Sequence, residues 1–162
     1  MQIKKILLNI IFLLSVNVFS SSLLFAASET TDTKNDNLRV LSGKQILITI
    51  ENSLSFTVDL YDNDTANDLL SQLPLTVTAD DYPGYDEKIM KLAKPLSIKN
   101  APEGDTPRFP ELGYYQPGQW LAVYYGHIGY FIGKVPLGKV NTTNNALSLI
   151  PNNTKITIEL VK

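Results

Sequence analysis

Apolar and polar residues alternate along several short stretches of the chain, a pattern typical of strands with one buried face and one solvated face. The clearest example is residues 54–60, where leucine, phenylalanine and valine alternate with serine, threonine and aspartate. An aliphatic run at residues 45–50 precedes it, and residues 51–53 favour a turn, so the two runs are predicted to form a hairpin. Further strands are predicted at residues 75–80, 88–93, 119–125, 130–132, 134–140 and 156–160.

A short helix is predicted between the second and third of these strands. Its apolar residues lie at helical spacing, at Ala66, Leu69, Leu70 and Leu73. Asp64 or Thr65 is predicted to cap its amino end, and Pro74 ends the element. Because so short a helix is unstable alone, its apolar stripe must pack on another part of the protein, such as the mouth of a barrel. Residues 144–150 predict one further helical turn.

Residues 99–118 contain four prolines and are predicted to form a long loop without a regular element. The predicted strands on either side of this loop are short, and glycine-containing or proline-containing turns separate them. Many short strands joined by tight turns predict an all-β barrel or sandwich.

The first 27 residues have the three-part layout of a secretory signal peptide. Lys4 and Lys5 provide the basic start, apolar runs follow at residues 6–19 and 23–27, and alanines at the end suit cleavage. Residues 1–27 are therefore predicted to be a signal peptide, and the protein is predicted to be exported to the periplasm or the medium. The alternative is that this segment remains as an uncleaved membrane anchor.

The rest of the chain divides into two parts. Residues 28–43 are polar and aperiodic, which predicts a flexible spacer, and residues 44–162 are predicted to form one domain. Loss of Lys4 and Lys5 with the leader, which contains no acidic residue, changes the formal net charge from −2 to −4. A mildly acidic domain lacks the basic surface that binds nucleic acid or anionic lipid, so neither nucleic acid nor a membrane is an expected partner after cleavage.

The chain contains no cysteine and a single histidine, His127. Disulfides, thiolate metal sites and paired-histidine metal sites are therefore excluded. No phosphate-binding glycine loop or hydrolase nucleophile motif is present, so neither a cofactor nor a metal is predicted. His127 lies in a glycine-flanked turn, where it is either a structural residue or a donor at the edge of a groove.

Three blocks of sequence resemble the bacterial cyclophilin-like domain family. They are YDNDTANDLLSQLPLT at residues 61–76, EKIMKLAKPLS at residues 87–97 and GYFIGKVPLGKV at residues 129–140. The resemblance extends over residues 44–161. It implies a mainly β fold, a closed antiparallel barrel of eight strands with one or two short capping helices.

True cyclophilins are peptidyl-prolyl isomerases whose central arginine lies close to a phenylalanine on one strand. This chain lacks that Phe-x-Arg strand motif. Its two arginines are Arg39, in the predicted spacer, and Arg108, in the proline-rich loop. Trp120 and His127 are present, but their flanking residues do not match the isomerase pattern. No catalytic residue is therefore carried over from the family.

The aromatic residues around Trp120 form the candidate site. Strand alternation predicts Trp120 and Tyr124 on one face and Leu121 and Val123 on the other. Either one set fills the barrel while the other packs under the long loop, or some of the aromatic residues line an apolar groove. The candidate ligand-binding residues are Trp120, Tyr115, Tyr124, Arg108 and His127.

Two functions remain open from the sequence. The first is a non-catalytic module of the cell envelope or medium that binds a peptide or a small apolar ligand. The alternative is a weak or divergent peptidyl-prolyl isomerase that acts on exported proteins. The oligomeric state does not follow from the sequence.

Overall fold

A closed antiparallel barrel forms most of the computed structural model, which describes residues 37–162. The strands are β1 (Leu41–Ile50), β2 (Ser55–Tyr61), β3 (Leu75–Asp81), β4 (Glu87–Lys91), β5 (Gly104–Asp105), β6 (Glu111–Tyr115), β7 (Trp120–Tyr124), β8 (Phe131–Ile132), β9 (Lys134–Val140) and β10 (Thr154–Leu160). Eight of them close the ring in the order β1-β10-β3-β4-β7-β6-β9-β2, while β5 and β8 pair with each other outside it. The predicted mainly β fold and closed barrel are confirmed.

Pairing between the first and last strands of the chain closes the ring. β1 and β10 pair antiparallel from Ile46 opposite Leu160 to Ile50 opposite Ile156. On its other side β1 forms the predicted hairpin with β2, with Ile48 opposite Phe56. Because alternate residues of a strand point to the same face, the aliphatic side chains meet inside the barrel. The fully buried core residues include Ile46, Ile48, Val58, Leu60, Leu112, Leu121, Leu137 and Ile158.

Two short α-helices and one 3-10 turn accompany the strands within the described residues. They are the turn at Asn37–Arg39, α1 (Asp64–Gln72) and α2 (Asn144–Ser148). Ala66 and Leu69 of α1 are fully buried and belong to the barrel core, as does Leu147 of α2. The apolar stripe of α1 therefore packs on the barrel, as the sequence predicted.

The cap of α1 differs from the prediction. Asn63 is the N-cap, because its extended backbone lets the side-chain oxygen accept a hydrogen bond of 2.9 Å from the backbone N–H of Ala66. Asp64 is already the first helical residue, and Thr65 is buried. The Asn63 amide also donates to the carbonyl oxygen of Pro136 at 3.0 Å, which fixes the start of the helix against β9.

The prediction of a loop without regular structure over residues 99–118 was wrong. β5 and the barrel strand β6 both lie in this segment. Its prolines flank β6 rather than interrupt it, since Pro110 precedes the strand and Pro117 follows it. Within the strand, Leu112 and Tyr114 alternate into the core. The prolines of the whole segment obscured a five-residue strand between them.

The predicted spacer at residues 28–43 includes three residues that belong to the first strand of the barrel. Residues 41–43 belong to β1, where Leu41 pairs with Tyr61, and the Asp62 N–H donates to the Val40 carbonyl at 2.7 Å. These residues lack a strand-like alternation, but backbone pairing with β2 gives them a fixed conformation. The predicted domain start at residue 44 is therefore too late. The predicted signal peptide and residues 28–36 lie outside the described residues.

Within residues 37–162, no helix is both long enough and apolar enough to cross a bilayer.

Truncation of a buried side chain of α1 tests how much the packing of this helix on the barrel contributes to stability. We expect Leu69→Ala to lower the free energy of unfolding by about 2–5 kcal/mol, because it leaves a cavity in a closed core. Urea unfolding followed by circular dichroism measures this change. Leu149→Ala is the matched control, since Leu149 is 71% exposed and its removal should cost less than about 0.5 kcal/mol. Equal effects of the two changes would contradict a structural role for α1.

Candidate functional site

The two faces of β7 lie in different apolar environments. Leu121 and Val123 point into the barrel core. The opposite face contributes to a second cluster outside the barrel, here called the outer cluster, which consists of Ala122, Tyr124 and Ile128 with the half-buried Ile89, Trp120 and Phe131. The predicted separation of the two faces is confirmed. The outer face is covered in part by Ile128 and Phe131, which follow β7 in the chain.

Five aromatic side chains form a continuous row on the outer surface beside this cluster, here called the aromatic row. The centroid distances are 5.0 Å for Tyr115–Trp120, 5.5 Å for Trp120–Tyr82, 5.5 Å for Tyr82–Tyr85 and 5.6 Å for Tyr85–Phe131. Tyr82 and Tyr85 are 37% and 39% exposed. Two of the five residues of the row, Tyr82 and Tyr85, are therefore exposed to solvent, and the other three are half-buried.

Local structure explains how the row is assembled. Tyr115 and Trp120 are opposite each other in the β6–β7 pair. Tyr82 and Tyr85 come from the turn between β3 and β4, where the Tyr85 N–H donates to the Tyr82 carbonyl and Gly84 adopts a positive φ of 85°. This turn brings the two tyrosine rings into contact. The sequence indicated only a turn here, and nothing in its pattern connects these tyrosines to Trp120.

Tyr124 lies beneath this surface rather than on it. The residue is 1% exposed, and its ring covers Gly113 so closely that a Cβ there would lie 2.7 Å from the ring. Burial raises the pKa of Tyr124, and the charges of Glu87 and Glu111 raise it further. Among the described residues, neither the Tyr124 hydroxyl nor the Trp120 indole N–H has a hydrogen-bond partner. Tyr124 thus fills the site from below.

A buried ion pair lies against Tyr124. The Nζ atom of Lys134 lies 3.1 Å from a carboxylate oxygen of Glu87, and the two side chains are 5% and 3% exposed. The same ammonium group lies 4.6 Å from the ring centroid of Tyr124 and 4.9 Å from that of Phe131. Burial lowers the pKa of Lys134, an effect that the charge of Glu87 opposes. The ammonium group links strands β4, β7 and β9 to β8.

Arg39 forms a second buried charged group. Its guanidinium lies 2.5 Å from Asp105 on β5 and 2.8 Å from Glu111 on β6. Glu111 also accepts hydrogen bonds from the Tyr61 hydroxyl at 3.0 Å and from the Arg108 backbone N–H at 2.8 Å. Burial by itself would lower the pKa of Arg39, but the hydrogen bonds to Glu111 and Asp105 outweigh burial and raise it. Arg39 therefore fastens β5 to the outer wall of the barrel.

The sequence missed this role for Arg39 because it assigned the residue to a spacer. Of the predicted site residues, Trp120 and Tyr115 meet in the aromatic row, and Tyr124 lies below in the outer cluster. Arg108 and His127 are exposed and are not members of the row. The backbone of Arg108 is bound at Glu111, on the side of the site where Arg39 lies.

Two surface concavities lie away from these residues. One, of about 520 Å³, lies beside β1 and the end of β10, and the other, of about 410 Å³, lies between α1 and the segment after β4. Among residues 37–162, no group of three or more histidine, aspartate or glutamate side chains is arranged to bind a metal ion. The aromatic row remains the candidate functional site because it brings two of the predicted residues, Tyr115 and Trp120, into contact beside exposed tyrosine rings.

The Lys134–Glu87 pair gives a prediction for stability. Lys134→Met leaves Glu87 buried without its cation and should cost about 3–5 kcal/mol, whereas Lys134→Met combined with Glu87→Gln should recover most of this loss. Lys155→Met, at an exposed position of β10, is the control for loss of a lysine charge. Urea unfolding of the four proteins measures the difference. A double variant no more stable than Lys134→Met would contradict the pairing.

The Lys134–Glu87 pair also predicts how the free energy of unfolding depends on pH. The pKa of Lys134 in the folded state is lowered from 10.5, so between that lowered pKa and 10.5 the unfolded chain binds more protons at this residue than the folded chain. Unfolding free energy therefore rises with pH through this residue. Measured at about pH 8–10, the difference in stability between the natural chain and the double variant should change in favour of the natural chain as pH rises. A change in the opposite direction would contradict the lowered pKa.

Comparison with known proteins agrees with the observed architecture. The solved structure titled "Structure of McbB in complex with tryptophan" superposes with a TM-score of 0.54 at 18% sequence identity. The match covers 70% of this chain and 44% of that chain, so this protein spans less than half the length of McbB, and the likeness is one of fold. No curated protein gives a significant match. The model of the cyclophilin-like family matches residues 48–159, from within β1 to within β10, and the chain therefore belongs to the cyclophilin-like family.

Proposed function

We propose that this cyclophilin-like domain is a non-catalytic binding module that binds a peptide or a small apolar ligand at the aromatic row. The observation that carries the proposal is the row itself, five rings in successive contact, of which Tyr82 and Tyr85 are more than one third exposed. Tyrosine and tryptophan offer large apolar faces together with a polar tip, which suits binding of a ligand that is partly apolar.

The rigidity of the row supports this proposal. Tyr115 and Trp120 stand on paired barrel strands, and Phe131 belongs to the outer cluster. Lys134 packs against Phe131, and Arg39 binds Asp105, which pairs with Phe131 in the β5–β8 sheet. Rings that are fixed before binding lose little conformational entropy when a ligand arrives, so more of the contact energy appears as affinity.

The charged groups near the site argue against the alternative, a weak or divergent peptidyl-prolyl isomerase. Such catalysis requires a cation that polarises the prolyl amide at the binding surface. Arg39 is 5% exposed and binds two carboxylates, and Lys134 is equally buried against Glu87. Neither cation is directed at a ligand on the row. Binding without catalysis is therefore the function favoured here.

Location outside the cytoplasm, in the periplasm or the medium, is part of the same proposal. It rests on the signal-peptide pattern of residues 1–27. A peptide or an exposed segment of another exported protein is the partner that this location would offer.

Fluorescence of the single tryptophan tests ligand binding directly, since Trp120 lies within the row. Titration with a panel of proline-rich and aliphatic decapeptides, and with the apolar probe anilinonaphthalene sulfonate, should give a saturable change for at least one probe. Tyr82→Ala should weaken that binding about tenfold, equivalent to about 1.4 kcal/mol. Tyr130→Ala is the matched control, because Tyr130 is 56% exposed but lies outside the row. No response to any probe, or equal weakening by both variants, would rule out the row as the binding site.

A protease-coupled assay on an Ala-Pro peptide separates binding from isomerase activity. We expect no acceleration above the uncatalysed rate at micromolar protein, because the guanidinium of Arg39 and the ammonium group of Lys134 are buried against carboxylates. Acceleration that disappears in Arg108→Ala while binding to the row persists would favour the isomerase instead.

A further inference from the structure

Lys91 places a positive charge beside the aromatic row. It is the last residue of β4 and lies directly opposite Trp120 in the β4–β7 pair, while Tyr115 lies opposite Trp120 in the β6–β7 pair. Residues opposite each other in a sheet share a face, so Lys91 projects from the outer face together with the two rings. Its neighbour Met90 points the other way and is fully buried in the core. Lys91 itself is exposed.

The charge of Lys91 is not neutralised by another part of the described chain. Within residues 37–162, its ammonium group makes no ion pair and no hydrogen bond. Two other lysines of the same region differ, since Lys88 binds Asp81 and Lys134 binds Glu87. An exposed ammonium group beside apolar rings can therefore pair with an anion that a ligand brings.

The concavity of about 410 Å³ begins at Lys91, beyond the end of the row. It opens where the pairing of β3 with β4 stops, at Ala79, so Leu75 and Val77 of β3 have no paired residue of β4 beside them. Lys94 lines the concavity together with Lys91, and none of the described residues that line it is acidic. The concavity thus combines half-buried aliphatic side chains with two positive charges.

We propose that the aromatic row binds a peptide segment in which acidic residues follow an apolar one, and that Lys91 determines this preference. The inference rests on the proposed function of the row. The apolar side chain packs on Trp120 and Tyr115, and a carboxylate further along the peptide lies between Lys91 and Lys94. Neighbouring strands are about 4.8 Å apart, and alternate side chains of an extended peptide are about 7 Å apart. A peptide that crosses from β7 to β4 therefore places its next side chain on the same face within reach of a lysine.

Charges at the other end of the row favour the same orientation. Asp81 and Asp86 flank Tyr82 and Tyr85 in the β3–β4 turn, and both are exposed. They repel a ligand carboxylate at this end, whereas Lys91 attracts it at the other. A carboxylate bound at Lys91 also occupies its ammonium group, so this cation does not polarise a prolyl amide.

The chain's own amino-terminal segment has the opposite order of apolar and acidic residues. The 3-10 turn that precedes β1 contacts β9, and the ring continues from β9 through β6 and β7 to β4. A segment that crossed the outer face from this turn would meet the rings before Lys91. Going back from the turn, the acidic residues at 36, 32 and 29 come first and the apolar residues 23–27 come afterwards. The acidic residues would then lie on the rings, so a separate peptide is the better match.

Fluorescence of Trp120 in the full chain, purified as the cell processes it, tests this preference. The probes are the end-capped peptides Gly-Leu-Ser-Glu-Ser-Glu-Gly and Gly-Leu-Ser-Gln-Ser-Gln-Gly, which differ only in charge. We expect the glutamate peptide to bind about three to ten times more tightly at about 20 mM salt, and the difference to shrink at about 0.5 M salt, as for other exposed charge pairs. Lys91→Gln should abolish the difference and leave the affinity for the glutamine peptide within about twofold, because it removes the charge without changing the rings.

Lys44→Gln is the matched control, because Lys44 is also exposed and lies on β1, four positions from β7 in the ring. It should leave the preference unchanged. Equal affinity for the two peptides, or a preference that Lys91→Gln retains, would overturn the inference and leave the row as a binding site. No response to either peptide would also overturn it, and the wider probe panel then decides the proposed function separately.

Two further outcomes would assign Lys91 to another partner. If Glu29→Gln combined with Asp32→Asn raises the affinity for the glutamate peptide, the chain's own segment competes for the lysines and the inference is wrong. If the chain binds phosphatidylglycerol vesicles, and Lys91→Gln removes that binding while the two peptides bind equally, the lysines bind lipid and the inference is again wrong. Circular dichroism shows whether each variant remains folded.

Discussion

The antiparallel pairing of β1 with β10 is the constraint on which the rest of the molecule depends. These strands come from opposite ends of the described chain, and their five register pairs convert an open sheet into a closed ring. Closure satisfies the backbone hydrogen bonds that an edge strand would leave unpaired, and it encloses an aliphatic core that α1 and α2 complete. Because the core lies inside the closed ring, the outward-facing side chains of the strands are not needed to form it.

The outward-facing side of strands β4, β7, β6 and β9 is largely buried. Instead of a solvated polar face, it has a second apolar cluster and two buried charged groups. Desolvation of charges is costly, and such pairs contribute little net stability compared with apolar packing. These charged groups instead hold the outer sheet in place. Arg39 binds Asp105 of β5, and Lys134 contacts Phe131 of β8. The two-stranded outer sheet is thereby attached to the barrel at both of its strands.

This attachment connects the fold to the proposed binding surface. Phe131 is both a member of the outer cluster and the last ring of the aromatic row, so the buried cations and the exposed rings share one support.

Local pattern determined most of the architecture. The alternation in residues 54–60, the helical spacing that ends at Pro74 and the resemblance in three sequence blocks sufficed for the β1–β2 hairpin, α1 and the closed barrel. The hairpin and α1 depend on periodicity and turn chemistry, which act between residues near in sequence. Closure of the barrel was implied by the family resemblance, since the pattern alone also fitted a sandwich. The pattern also separated the two faces of β7, because side chains alternate in any strand.

Only the tertiary structure decided what each face meets. Arg39 looked like part of a polar spacer, yet its partners Asp105 and Glu111 lie 66 and 72 residues away. Tyr82 and Tyr85 looked like turn residues, and they join Trp120 because β3, β4 and β7 are neighbours in the ring. The sequence did not predict β6, because prolines surround it and its strand structure depends on pairing with β7 and β9. Contacts between distant segments depend on strand order and register, which no local period encodes.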